Sequence, residues 1–234
     1  MPDGSAGADR LSAILLEPDC EPGLLASIES GEMDHLVPEL LLLQMEQDPI
    51  HRHKDVLAHT IAVVNKTQPE ITVRLGALFH DIAKPRTRSF EHGGVTFRHH
   101  EVVGSRMTRK RLAALGYDEQ LVLEVSELVR LSGRFKGYAE GWSDSAVRRY
   151  ARDAGPLLGK LNDMIRCDCT TRNRVKAAGI QAAMDDLVFQ QRTVAYSDTA
   201  AARFNLDPIS LVLDKFARLT RNALRDFDEI SFVP

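Results

Sequence analysis

The chain has 234 residues, of which 44% are hydrophobic, enough for one domain with appendages. No run approaches the roughly 20 apolar residues of a membrane span, and the N-terminus lacks a signal-peptide pattern. Three cysteines, an odd number without the spacing of a disulfide framework, fit a reducing compartment, so we expect a cytoplasmic protein.

The net charge of −3 hides an asymmetry along the chain. Residues 1–50 contain eleven acidic residues and one basic residue, Arg10, so this segment sums to −10 and the remainder to +7. A basic body attracts phosphates, whether on a nucleotide or on RNA. The acidic segment either shields part of that surface or is simply solvated.

Helical spacing of apolar residues dominates the chain, and strand alternation barely appears. The predicted fold is therefore an all-α helical bundle with at most a short β-hairpin. Residues 1–9 are expected to be disordered. Helices are predicted over residues 53–67, 70–83, 99–115 and 117–131, from 144 after the N-cap Ser143, from about 157 through Asp168 to about 191, and over 208–227. Residues 86–98 predict a hairpin, either a lid over a phosphate or a plain surface loop.

The stretch from Leu75 to Pro85 is the centre of the functional argument. An apolar run ends there in His80 and Asp81, followed by Lys84 and by Pro85, which stops a helix. Neighbouring helical residues point about 100° apart, so both can reach one ion only near a helix end. Pro85 supplies such an end.

Two further polar residues lie on predicted apolar helix faces and complete a set of ligands. His59 shares one face with Val56 and Val63, and Asp168 continues an apolar stripe, where a carboxylate without a partner would be costly. A mixed nitrogen and oxygen set suits one divalent ion of Mn, Fe, Co, Ni, Zn or Mg better than Ca. The predicted metal ligands are His59, His80, Asp81 and Asp168.

This pattern resembles the HD-domain metal phosphohydrolases, and most of all the HD domain of bacterial CCA-adding tRNA nucleotidyltransferases. The resemblance covers roughly residues 35 to 190. It rests on six motifs in the family's order: His53-Lys54-Asp55-Val56, His59-Thr60, His80-Asp81-Ile82-Ala83-Lys84-Pro85, His99-His100-Glu101-Val102-Val103-Gly104, Asp144-Ser145-Ala146-Val147-Arg148-Arg149-Tyr150 and Asp168-Cys169-Thr170-Thr171-Arg172-Asn173. We therefore expect an acidic N-terminal helical connector at 1–50, an HD domain at 51–194 and a C-terminal helical tail at 195–234.

The resemblance implies hydrolysis of a phosphomonoester or a 2′,3′-cyclic phosphodiester by a metal-activated water. Asp81 would orient or deprotonate that water, and Lys84 would neutralise developing charge or else be a solvated helix end. His100 lies near the site in the family pattern and could donate a proton to the leaving group.

Three residues are predicted to bind the substrate. His53 lies near the site in the family pattern, Arg106 follows His100 by six residues, and Arg172 would lie one helical turn past Asp168. The expected substrate is a nucleotide or an RNA end, with tRNA as a further possible partner. The tail at 195–234 could pack on the body or make a homodimer contact.

The sequence also departs from the family. Nothing resembles the paired acids of a nucleotidyltransferase head, so we do not expect nucleotide addition. Ser132 stands where two-metal HD enzymes carry a late histidine, which predicts a single tight metal site. Two rival interpretations stay open: a non-catalytic body that binds tRNA or RNA, and a protein in which the metal only holds helices together.

Overall fold

The computed structural model describes residues 5–45, 55–91, 94–135, 138, 141–171 and 173–204. Three-quarters of the structure is helical, and a two-stranded hairpin is the only sheet in the described part, which confirms the predicted all-α fold. Within these ranges no helix is both long and apolar enough to cross a bilayer.

The helices follow one another with short connections. They are α1 (Ser5–Leu15), α2 (Glu21–Glu29), α3 (Met33–Leu36), α4 (Pro38–Leu41), α5 (Val56–Lys66), α6 (Ile71–Phe79), α7 (Lys84–Thr87), α8 (His100–Leu115), α9 (Glu119–Leu131), α10 (Asp144–Ala154), α11 (Leu158–Cys167) and α12 (Arg174–Phe204). Strands β1 (Ser89–Glu91) and β2 (Gly94–Thr96) pair antiparallel, with Phe90 opposite Val95, which confirms the hairpin predicted within residues 86–98.

The N-terminal helices share one hydrophobic core with the rest of the described chain. Leu11, Leu15, Leu24 and Leu43 are fully buried in it together with residues of α5, α6 and α9. The prediction of disorder over residues 1–9 is wrong for residues 5–9, because α1 begins at Ser5 and buries its apolar face. One core cluster thus includes residues from both sides of residue 50, the position at which we predicted the end of the N-terminal connector.

Helix α6 is the central element, since all its residues from Thr72 to Phe79 are buried. It packs against α5, α9 and α11. Gly76 permits this close approach, because a Cβ there would lie 3.1 Å from Met164 Sδ and 3.2 Å from Leu128 Cδ1. The end of α6 is thereby held in the middle of the bundle, where its neighbouring helices converge.

One buried arginine joins the N-terminal helices to this centre. Arg74 on α6 is 1% exposed and donates hydrogen bonds to five backbone carbonyls. The acceptors are the carbonyl oxygens of Leu15, Glu17, Pro18, Thr67 and Gln68. Its guanidinium therefore provides hydrogen-bond donors both for the backbone carbonyls at the end of α1 and for those of the α5–α6 connection.

The C-terminal part differs from the prediction of one helix running from about 157 to 191. Helix α11 ends at Cys167, Asp168 is its C-cap, and α12 starts afresh at Arg174. Asn173 explains the restart, because its Oδ1 accepts a hydrogen bond from the Lys176 backbone N–H at 3.0 Å, as an N-cap does. Helix α12 continues to Phe204, past residue 194, and the helix predicted over 208–227 lies outside the described residues.

Candidate metal centre

Three separate helix regions bring the predicted ligands together. His59 projects from the first turn of α5, while His80 and Asp81 occupy the turn between α6 and α7. Asp168 caps the C-terminus of α11. The adjacent pair His80-Asp81 thus lies just past a helix end, where two neighbouring side chains can turn toward one point.

The ligand atoms lie close enough to share one ion. His59 Nε2, His80 Nε2 and an oxygen of Asp168 all fall within 4.8 Å of one another. Asp168 Oδ1 is 3.0 Å from His59 Nε2 and 3.6 Å from His80 Nε2. Asp81 Oδ2 is 3.1 Å from His80 Nε2 and 3.8 Å from His59 Nε2. Atoms that each lie about 2.0–2.2 Å from one metal are separated from each other by distances like those between these side chains. The arrangement therefore fits a divalent cation.

The buried ring of His80 supports the same conclusion. Its Nδ1–H donates a hydrogen bond to the Ala77 carbonyl oxygen, 2.7 Å away. Its Nε2 has no hydrogen bond of acceptable geometry in the described structure, although two carboxylates lie nearby. A buried nitrogen without a partner is costly unless it coordinates a metal, and when a metal displaces the Nε2 proton, the Nδ1 bond leaves the Nε2 lone pair directed at the ion.

His59 is oriented by a residue that sequence reasoning did not single out. The Thr170 hydroxyl lies 2.8 Å from His59 Nδ1, which directs Nε2 of the same ring toward Asp168. Such outer partners commonly hold metal-binding histidines in place. The break after Cys167 makes this contact possible, because Thr170 lies in the non-helical connection before α12.

The electrostatic field at this point favours a cation. Burial lowers the pKa of His80, but the carboxylates of Asp81 and Asp168 outweigh it and raise that pKa to about 10. Burial raises the pKa of Asp81, yet the adjacent His80 and Lys84 charges hold it well below its usual range. Partial burial raises the pKa of Asp168, but the nearby rings of His59 and His80 outweigh it and lower that pKa. Two ionised carboxylates, the buried Asp81 and the partly exposed Asp168, therefore face one point.

Two further basic side chains flank Asp81 without belonging to the ligand triad. Lys84 Nζ lies 2.7 Å from Asp81 Oδ2, and His100 Nε2 lies 3.5 Å from Asp81 Oδ1. His100 is held by its Nδ1, which lies 2.7 Å from the Phe97 carbonyl oxygen. Lys84 is buried rather than solvated, and its ammonium lies 5.6 Å from the centre of the Phe97 ring.

These residues line a cavity of about 800 Å³. Its described wall is formed by Asp55, Ala58, His59, Ala62, His80, Asp81, Lys84, His100, Ser132, Gly133, Asp168, Cys169, Thr170, Thr171, Asn173 and Ile180. Ser132 is part of this wall, and its hydroxyl donates to the Val129 carbonyl. The cavity is much larger than an ion needs, so it has room for a small-molecule ligand.

The three predicted substrate-binding residues are not among the described lining residues. Arg106 is exposed on α8 and absent from the cavity wall, because six residues of α-helix turn it about 240° away from His100. His53 and Arg172 lie outside the described residues.

Comparisons with known proteins agree with this geometry. Residues 56–164 match the family model of the HD domain. The chain is 34% identical to a CC-adding tRNA nucleotidyltransferase of Thermus thermophilus over 130 residues, covering 52% of this chain and 30% of that protein. It is 31% identical to an A-adding tRNA nucleotidyltransferase of Deinococcus radiodurans over 170 residues, covering 68% of this chain and 38% of that protein. The chain thus spans about a third of the length of these relatives.

The matched range contains two of the three regions that carry the ligands. It begins at the start of α5 and includes His59, His80 and Asp81, while Asp168 follows four residues after its end. Over residues 56–164 this chain is therefore similar to the HD domain, the domain of a superfamily of metal-dependent phosphohydrolases, and over part of its length it is similar to tRNA nucleotidyltransferases.

Proposed function

We propose that the protein is a metal-dependent phosphohydrolase acting on nucleotide phosphomonoesters or 2′,3′-cyclic phosphodiesters. One observation carries the proposal: the unpartnered, buried Nε2 of His80 faces two ionised carboxylates inside a cavity of about 800 Å³. A purely structural metal would be expected to be closed in by protein, whereas an open cavity leaves room for water and substrate.

The ligand set defines what a metal would do here. His59, His80, Asp81 and Asp168 would hold one divalent ion, which when bound makes a water more acidic and polarises a phosphate oxygen. Because these are nitrogen and carboxylate ligands, Mn, Fe, Co, Ni, Zn or Mg fits the set. Asp81 also lies where its second oxygen can orient a water or take up its proton.

Lys84 and His100 supply the remaining chemistry in this proposal. The Lys84 ammonium is buried beside Asp81 and would stabilise negative charge that builds up on the phosphate oxygens. His100 Nε2 points toward the other oxygen of Asp81, and it would donate a proton to the leaving oxygen. Both groups act from the same end of the cavity, so the reacting phosphate belongs there.

Substitution of Asp81 by asparagine tests the proposal. We expect about one divalent ion per wild-type chain and turnover of nucleotide monophosphates or 2′,3′-cyclic phosphates. Asp81→Asn should lower that turnover at least about 100-fold, because even outer partners of metal ligands contribute 10- to 100-fold. Metal content by mass spectrometry and phosphate release over a nucleotide panel are the measurements.

The matched control is Asp34→Asn, an exposed carboxylate on α3. It should retain wild-type metal content and turnover. If Asp81→Asn were as active as Asp34→Asn, the proposed role of the site in hydrolysis would be wrong.

A second function, binding of tRNA or other RNA by the basic body, is favoured by one surface. Arg106, Arg109 and Lys110 are exposed on one side of α8, and none of them has an ion-pair partner in the described part of the chain. Unpaired exposed cations attract a phosphate backbone regardless of sequence. The similarity to tRNA nucleotidyltransferases supports this second function independently of catalysis.

Neutralising this basic surface should weaken RNA binding in a salt-dependent way. Each phosphate contact contributes about 0.7 to the slope of log affinity against log salt for single strands, so the triple variant R106Q/R109Q/K110Q should lower that slope by about 2. Fluorescence anisotropy with labelled tRNA between about 50 and 200 mM salt measures it.

The control for this prediction removes the same charge elsewhere. Arg149, Arg152 and Lys176 are also exposed, and their replacement by glutamine should change the slope less. Equal losses in both triple variants would show a diffuse attraction to a positive protein rather than a binding surface on α8.

A further inference from the structure

Asp55 is a cavity residue whose two carboxylate oxygens have different surroundings. It is the N-cap of α5, and its Oδ1 accepts hydrogen bonds from the backbone N–H groups of Leu57 at 2.7 Å and Ala58 at 3.3 Å. Its Oδ2 has no hydrogen bond and no ion pair with any residue in the described ranges. One oxygen therefore holds the helix start, and the other is available to a ligand in the cavity.

The position of Asp55 relative to the metal ligands follows from the helix. Asp55 and His59 are four residues apart, so their side chains are neighbours on one face, with about 5–6 Å between Cβ atoms. Both residues line the cavity. A group that binds the Asp55 oxygen thus lies within one helical turn of a phosphate held at the metal centre.

The charge of Asp55 determines what kind of group it can bind. An ionised carboxylate only accepts hydrogen bonds, and it repels phosphate. The phosphate therefore belongs at the end occupied by Lys84 and His100, and Asp55 requires a neutral donor such as a hydroxyl. In a ribose that carries a 2′- or 3′-phosphate, the adjacent carbon bears such a hydroxyl.

The rest of the cavity wall beside Asp55 is suited to a nucleoside. Ala58 and Ala62 continue the same face of α5, and Ile180 of α12 is also part of the wall. These short or apolar side chains offer a surface for the flat, apolar face of a base. The cavity thus carries Lys84 and His100 beside Asp81, and an acidic and partly apolar wall at Asp55, Ala58 and Ala62.

We infer that Asp55 accepts a hydrogen bond from the ribose hydroxyl next to the phosphate ester, so that the site selects ribonucleotides over 2′-deoxyribonucleotides. This inference rests on the proposed phosphohydrolase function and adds a residue that sets sugar specificity. Asp55 is not a metal ligand in this account, and it does not touch the reacting bond.

Asp55→Ser is the informative variant. Serine is as good an N-cap as aspartate, so α5 keeps its first turn, while the second oxygen is lost. With adenosine 3′-monophosphate and its 2′-deoxy counterpart as probes, wild type should show about a tenfold higher kcat/KM for the ribonucleotide, as expected for one hydrogen bond to a charged group. In Asp55→Ser this ratio should fall to about one.

Two additions separate this inference from the function on which it rests. Asp55→Asn keeps Oδ1 as the cap and replaces the charged acceptor by an amide N–H, which can only donate to the hydroxyl oxygen in a neutral hydrogen bond, so it should reduce the preference to less than the wild-type value. Calorimetric binding of adenosine and 2′-deoxyadenosine to the Mn²⁺-loaded protein needs no turnover. A sugar preference in binding without any hydrolysis would overturn the proposed function alone. Equal values for the two sugars in wild type, in binding and in any turnover, would overturn the role of Asp55 alone.

Discussion

Replacing Arg74 with methionine is expected to lower the free energy of unfolding by about 3–5 kcal/mol, because each buried carbonyl that loses its donor costs about 1–3 kcal/mol. The guanidinium is 1% exposed and serves five carbonyl oxygens from two parts of the chain. Methionine has a similar length but no donors, so the carbonyls of Leu15 and Thr67 would stay buried without this partner. Urea denaturation followed by circular dichroism measures the change.

Two comparisons sharpen this prediction. Arg109→Met replaces an exposed arginine on α8 and should change stability by no more than about 0.5 kcal/mol. Arg74→Lys keeps the charge but has a smaller set of donors in a different geometry, so its loss should be intermediate. If Arg74→Met cost less than about 1 kcal/mol, the carbonyls around it would have to reach water, and the network would not be what fixes α1 to α6.

The role of Arg74 was not predictable from the sequence, and the reason is physical. A period of 3.6 residues reports which face of a helix is buried, but α6 is buried on every side from Thr72 to Phe79. The partners of Arg74 are backbone carbonyls, which every residue has, so the amino-acid sequence does not indicate which residues supply them. Three of them, at Leu15, Glu17 and Pro18, are also more than 50 positions away.

The convergence of the candidate metal ligands was predictable because the energetic cost of burying such polar residues can be inferred from the sequence. A histidine and an aspartate at the end of an apolar helix, and an aspartate on an apolar stripe, are expensive unless they meet. The structure brings His59, His80 and Asp168 within 4.8 Å of one another, with Asp81 beside them. The restart at Asn173 was harder to predict, since no Gly or Pro marks it, and it is what gives Thr170 access to His59.

Removing the metal, or removing His80, is expected to have the largest effect on the site. At a free metal concentration about 1,000 times Kd, a bound ion stabilises the folded state by about 4 kcal/mol. For a chain of this size that corresponds to a rise in Tm of about 8–16 °C on adding the ion to chelator-treated wild type. His80→Ala removes the buried nitrogen that has no other partner, so its Tm should no longer respond to the metal.

The same experiment separates a catalytic metal from one that only holds helices together. The described hydrophobic core extends from α1 to α12 and includes none of the proposed metal ligands, so chelated wild type should remain folded while losing phosphate release. Like chelated wild type, His80→Ala should show no turnover. The control is His35→Ala, which replaces an exposed histidine on α3 and should behave as wild type. Unfolding of wild type upon chelation would favour the structural metal instead. In that case the cavity beside Asp81 and Lys84 would need another explanation, because a metal that serves only packing has no use for an open approach of about 800 Å³.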